Sequence, residues 1–301
     1  MFEDAFEADL TSVDLLRRFY NLHPPPHSDL SLGNILCWKD FYKVHCLPKG
    51  GNLAFLIKTR EGEYVVPPLG PPNYGLLMEV LKEALKEAWG VTLYGFQALS
   101  LMKEYFPSIR TVLQRDLYDY VYLTQKLAEM RGRDFLKIRN ELNSFRRCFK
   151  AERELIEEGN LEEVKSFARR WCIWKDCESK ELLRYEKKAL FYALEHFTQL
   201  PIEGILLRVE DRIEALSIFE RLSPDTYVIH FEKANYNMKG CYPAITRATA
   251  EFLREKCYFL NRESDMGVPG LRKAKQKLRP HHLIEVHSLE KNTLGEILNK
   301  S

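Results

Sequence analysis

One order of elements, strand-strand-strand-helix-strand-helix-strand, can be read twice along these 301 residues. In the first half, short β-rich runs bounded by turn residues predict strands at 41–47, 52–57 and 63–67. Asn73 is placed to cap a helix whose apolar face is Leu77, Leu81, Leu85 and Ala88, with Gly90 as its stop. A strand at 91–95, a helix at 97–105 and a long strand at 111–123 complete the set. In the second half, a weak strand at 149–155 precedes a helix from Asn160, with Glu163 able to close a capping box. That helix has Val164, Phe167, Trp171 and Trp174 as its buried face, and a second helix follows at 180–197. Then come a hairpin at 204–222 turning at Glu210-Asp211, a strand at 226–232, a helix at 241–256, a strand at 257–261, a short basic helix and a last strand at 282–287. Two copies of one α/β unit explain this order, and they set expected domains at 1–125 and 149–301. Between them, 126–148 reads as a basic connecting helix.

The bulk numbers allow this and exclude several classes. A chain with 45% hydrophobic residues buries one or two cores. With 45 basic against 43 acidic residues, any anion binding must rest on local patches and not on the overall field. The seven cysteines are scattered without a CxxC pair, which argues against a disulfide framework or a zinc ribbon and for reduced, cytoplasmic thiols. The N-terminus, MFEDAFEADL, is acidic where a signal peptide is basic, and no apolar run is long enough to span a membrane. No metal is expected: His281 and His282 are adjacent and, on a strand, point to opposite faces. Walker, nucleophile-elbow and Rossmann motifs are absent from the sequence.

A mixed sheet with this element order is what a GNAT-type (acyl-CoA N-acyltransferase-like) domain gives, so the expected fold class is α/β: two tandem GNAT-like domains, each a mixed sheet flanked by helices. More specific is the pattern Asn261-Arg262-Glu263-x-Asp265-x-Gly267-x-x-Gly270-Leu271-Arg272-x-x-Lys275 followed by Pro280, together with HFEKA at 230–234 and GCYPAI at 240–245. These residues resemble the family of phosphatidylglycerol lysyltransferase C-terminal domains and their soluble relatives, over essentially the whole chain. The resemblance implies a tandem GNAT fold akin to the Fem-type aminoacyltransferases. It also implies transfer of an amino acid from aminoacyl-tRNA, as co-substrate, to an amine or hydroxyl acceptor, a lipid headgroup or another small molecule. No cofactor is firmly implied.

In such a fold the fourth strand of a unit splays from the fifth, and the donor's acyl group lies in the gap. Here those strands are Tyr227 to Glu232 and Cys257 to Asn261. Alternation puts His230 and Glu232 on one face. Glu232 is the first candidate for a general base, or else an ion-pair partner of Lys233 or Arg272; His230 and Asp265 are the other catalytic candidates. Asn261, Arg262, Arg272 and Lys275 are candidates for holding the donor or its phosphate, Arg272 and Lys275 sharing a helix face three residues apart. Glu263 and Asp265 are equally able to neutralise Arg272 and cap its helix. Gly240, alone where an acyl-CoA fingerprint has several glycines, is the remaining donor candidate and leaves a CoA thioester donor as the weaker alternative. Lys137, Arg139, Arg146 and Arg147 are the expected tRNA contacts. A non-catalytic phosphate- or RNA-binding module on the same fold is the third reading.

Overall fold

A computed structural model describes residues 1–290 and 292–298. Among them the strands are β1 (Phe6–Glu7), β2 (Lys43–Lys49), β3 (Asn52–Lys58), β4 (Glu63–Leu69), β5 (Gly90–Tyr94), β6 (Thr111–Leu113) and β7 (Asp119–Leu123), then β8 (Ala151–Leu155), β9 (Ile202–Val209), β10 (Arg212–Ser223), β11 (Thr226–Ala234), β12 (Phe259–Asn261), β13 (His282–Ile284) and β14 (Val286–Leu289). They form two seven-stranded mixed sheets, ordered β1-β2-β3-β4-β5-β14-β6 and β8-β9-β10-β11-β12-β7-β13. The expected fold class, α/β with two mixed sheets flanked by helices, is the one the chain has.

Position for position the two orders match, and in each the sixth place is filled by a strand from the other half of the chain. β14, near the C-terminus, pairs antiparallel with both β5 and β6. β7, from the first half, pairs antiparallel with β12. Two sequence expectations are corrected here. The single strand expected at 111–123 is β6 and β7, separated by a 3-10 turn at Arg115–Leu117 and placed in different sheets. The one expected at 282–287 is likewise β13 and β14. Each run has continuous β propensity, and propensity carries no information about which neighbour a strand pairs with.

The chain accordingly divides into a first unit of residues 1–119, 264–268 and 283–301 and a second unit of residues 120–263 and 269–282. These bounds differ from those read off the sequence. The helix expected as a connector, Leu136–Cys148, lies within the second unit, burying Ile138, Leu142 and Phe145.

Local chemistry explains the elements. Asn73 caps helix Tyr74–Lys86 by accepting from the Leu76 amide at 3.0 Å. Leu76, Leu77, Val80, Leu81 and Ala84 of that helix are buried on Ala54, Leu56, Val65 and Val91 of the first sheet. Leu85 and Ala88 are exposed, and the chain reverses at Ala88 (φ +58°), before Gly90. In the second unit, Glu210 and Asp211 both adopt positive φ, the two-residue turn that matches the twist of a tight hairpin, and β9 and β10 pair from Val209–Arg212 onward. The capping box before helix Leu161–Lys175 is formed by Glu157 and Asn160; Glu163 instead binds Arg208. Phe167, Leu190, Leu206, Leu216, Phe219 and Phe231 are fully buried here.

Candidate active site

The second sheet opens where its parallel pair diverges. β11 and β12 are in register at Thr226–Phe259, Tyr227–Leu260 and Val228–Asn261; β12 ends there, while β11 runs on to Ala234. His230 and Glu232 lie on that continuation.

The expectation that they share a face does not hold. Ile218 on β10 is opposite Phe231, and Phe219 is opposite Ile229, so β11 has one extra residue, His230, in a β-bulge. A bulge breaks strict alternation. His230 and Glu232 accordingly have separate partners.

Glu232 accepts from both terminal nitrogens of Arg262, Nη1 at 2.9 Å and Nη2 at 2.8 Å, and from the Thr246 hydroxyl at 2.7 Å. A forked pair of this kind fixes both side chains in one plane. The pair is largely buried, its side chains 13% and 8% exposed. Burial opposes the Arg262 charge, and Glu232 outweighs burial, holding the guanidinium above its ordinary range. Arg262 Nε is buried without a hydrogen-bond partner. Glu232 is thus an ion-pair partner, though of Arg262 rather than Lys233 or Arg272. Lys233 pairs with Glu186, its ammonium 4.4 Å from the Trp171 ring centre.

His230 stands between two carboxylates. Its Nδ1 is 2.8 Å from Glu263 Oε1, and its Nε2 faces Glu220 Oε1 at 3.4 Å without the alignment of a hydrogen bond. Burial disfavours the imidazolium; Glu220 and Glu263 overcome it and raise the group to about 10. At neutral pH His230 is therefore a cation and not a base. Glu263 has a left-handed backbone (φ +59°), a conformation that costs of order 1–3 kcal/mol for a residue with a side chain. Three groups hold it: the Asn261 side chain accepts from its amide at 2.8 Å, and Lys275 and the Tyr120 amide donate to its carbonyl at 2.9 and 3.2 Å.

Lys275 also donates to the Arg262 carbonyl and is buried. The expectation that it offers a charge to a phosphate is corrected: helical spacing puts it beside Arg272, but its ammonium turns inward onto the end of β12. Arg272 is half-buried. Asp265 lies in the first unit, where it accepts from the Gly267 amide at 3.0 Å and faces Arg115 at 3.4 Å. It organises a turn there, and Glu263, not Asp265, is the carboxylate beside His230. Gly267 has φ +70°, and a Cβ there would meet Asp116 Oδ2 at 2.8 Å. Gly240 (φ +90°) precedes helix Cys241–Leu253, and any Cβ would strike the Glu141 carbonyl and Phe145 Cβ. It lets helix Leu136–Cys148 approach.

Of the basic residues on helix Leu136–Cys148, Arg139 is half-buried and bends back through Nη1 to the Met130 carbonyl at 2.8 Å. Lys137, Arg146 and Arg147 are exposed, and the two arginines line an open depression with Asn140 and Asn143. His281, in a bend before β13, meets His282 with their Nδ1 atoms 2.9 Å apart, so the strand alternation expected to separate them does not apply. Among the described residues no group of three or more His, Cys, Asp or Glu side chains could hold a metal ion.

Three features escaped the sequence reading. Glu220 left a trace, as a charge within the apolar run LSIFERL. Thr246 left none. In the first unit, Ser28 donates to Asp119 from its hydroxyl (2.8 Å) and its amide (2.9 Å), His27 Nε2 lies 3.3 Å from Asp119, and Tyr94 donates to Asp29 at 3.1 Å. The composition is that of a Ser-His-Asp triad, but the serine bonds to the aspartate and not to the histidine, which gives no activated nucleophile.

The model of the phosphatidylglycerol lysyltransferase C-terminal family matches residues 20–289. The chain belongs to that family. Comparison with the curated proteins gave no match. Among solved structures, a conserved protein of unknown function from Bacteroides thetaiotaomicron is 26% identical, with a TM-score of 0.87 over 95% of this chain and 98% of that one. L-PGS from Bacillus licheniformis is 15% identical, with a TM-score of 0.63 over 95% and 96%. FemX is 10% identical, with a TM-score of 0.56 over 97% and 99%. The last two likenesses are of fold. Family membership makes this a domain of the phosphatidylglycerol lysyltransferase C-terminal type, and among the described residues no helix is long and apolar enough to cross a membrane.

Proposed function

We propose that the protein is an aminoacyltransferase that uses aminoacyl-tRNA and works at the parting of β11 and β12 in the second unit. Family membership over residues 20–289 carries the reaction class. The choice of unit rests on the strands. In the first sheet β4 and β5 are paired only at Tyr64–Gly90 and Val65–Val91, and β4 then continues through Pro67 and Pro68, which have no N–H to offer a donor. The continuation of β11, Ile229 to Ala234, contains no proline.

The acceptor's nitrogen or oxygen bonds to the ester carbonyl carbon, the ester C–O bond breaks, and the terminal ribose hydroxyl of the tRNA leaves with the acceptor's proton. Arg262, aligned by Glu232, and the His230 imidazolium supply fixed positive charge near the developing oxyanion. Lys137, Arg146 and Arg147 contact RNA phosphates. A CoA donor finds less support, because Gly240 serves helix packing.

The test is incubation of the purified protein with a mixture of charged tRNAs and with acceptors that include phosphatidylglycerol vesicles and small amines. Consumption of charged tRNA above spontaneous hydrolysis, with a new aminoacyl product, is the expected result; none on any acceptor sinks the reading. Changing both Arg146 and Arg147 to Glu is expected to raise KM for tRNA with little change in kcat and to shallow the salt slope by about 2.

One observation favours a second reading, a non-catalytic binding module: Glu232, Arg262, His230, Glu263 and Lys275 all find partners within the protein. Salt-sensitive RNA binding without turnover in the same assay selects it.

A further inference from the structure

Helix Leu161–Lys175 ends in a left-handed residue, Asp176 (φ +49°), and its last turn closes with two backbone bonds. The Asp176 amide donates to the Ile173 carbonyl at 3.2 Å, and the Cys177 amide donates to the Cys172 carbonyl at 3.1 Å. This nested pair of bonds is the Schellman cap, and its geometry brings the side chain two positions past the end of the helix against the one five positions earlier, in the helix's last turn. In most proteins that contact is between two apolar side chains. Here both are cysteines, and both are buried, Cys172 at 7% and Cys177 at 2% exposure.

We propose that Cys172 and Cys177 form a redox-modifiable pair, closing to a disulfide on reaction with a low-molecular-weight disulfide and reopening with excess thiol. One protein thiolate attacks the reagent's S–S bond and expels one reagent thiol. The second protein sulfur then attacks the mixed disulfide and expels the other. Two protein S–H bonds and one reagent S–S bond become one protein S–S bond and two reagent S–H bonds. The backbone turn already supplies the proximity that such closure needs.

Among the remaining cysteines, Cys148 is exposed and Cys37, Cys46, Cys241 and Cys257 are buried. Cys172 and Cys177 are buried too, so burial holds both thiols above their ordinary range, Cys177 at about 12. Attack requires thiolate, so closure is slow at pH 7 and speeds up about tenfold per pH unit toward pH 9. Charged neighbours of the pair are Lys233, Glu186 and Lys187. Trp171, in the same helical turn as Cys172, carries the Lys233 ammonium over its ring. Closure therefore tightens the turn that supports β11 one residue beyond Glu232.

The experiment treats the reduced full-length protein with glutathione disulfide at pH 7, 8 and 9, alkylates the remaining thiols in denaturant and maps the peptides by mass. The expected product has a Cys172–Cys177 peptide lighter by two hydrogen atoms, while Cys148 is recovered as a mixed disulfide. Cys172→Ser and Cys177→Ser, near-isosteric changes checked by circular dichroism, each abolish the bridged peptide and leave the partner as free thiol or mixed disulfide. Both thiols recovered alkylated after Cys148 has fully reacted, or a bridge mapped to another pair, overturns the proposal. So does a bridge that forms only once the protein has unfolded.

Discussion

Residues in the candidate site are bound mainly to one another, and this makes their energetics predictable. Removing one member of the Arg262–Glu232 pair leaves the other charge buried alone, so Arg262→Ala or Glu232→Ala should each cost about 3–5 kcal/mol. Urea unfolding measures this, and the double variant should fall well short of the sum. His230 has a definite pH signature. Its folded value, about 10, lies above the ordinary 6.5, so its contribution is full below about 6.5 and is lost as pH rises through 10. The wild-type protein should lose stability between pH 7 and 10 relative to His230→Gln, as read from denaturant midpoints across that range. A wild type that tracks the variant over this window contradicts the imidazolium assignment. The 261–275 block was legible as a special place, but its roles were not. Helical spacing gives the face a lysine occupies and says nothing of the carbonyls waiting at the end of β12. Glu232 and Arg262 are thirty residues apart in sequence, and their pairing follows from strand order alone.

Elements were read well where local chemistry decides them. Asn73 caps its helix and Glu210-Asp211 makes its turn because each is a matter of a few adjacent residues. Elements went wrong where a distant neighbour decides. The bulge at His230 appears only in the β10–β11 register, and the breaks in 111–123 and 282–287 appear only when the sheets assemble. Gly240 belongs to this scale as well. Gly240→Ala sets a side chain in a left-handed conformation, at about 1–3 kcal/mol, and forces helix Leu136–Cys148 away from the start of helix Cys241–Leu253. A lowered thermal midpoint should come with faster amide exchange in both helices, whereas Gly270→Ala, which meets nothing within 4 Å, should change little.

At the scale of the whole molecule, β7 and β14 make each sheet depend on the far half of the sequence. Fragments 1–125 and 149–301, cut where the sequence alone would divide the chain, should each lack cooperative unfolding and the dispersed amide spectrum of a folded domain. A sharp melting transition from either fragment alone would contradict this. The same exchange bears on synthesis. During translation β5 emerges long before the strand that must lie between it and β6, for Tyr94 is paired with Val286. At ribosomal speeds of about 5–20 residues per second the wait is roughly 10–40 s. For that interval the nascent first sheet presents two unsatisfied edges, a template for wrong pairing. A holdase that shields this edge, or slower growth at low temperature, should therefore govern how much of the protein is recovered from cells.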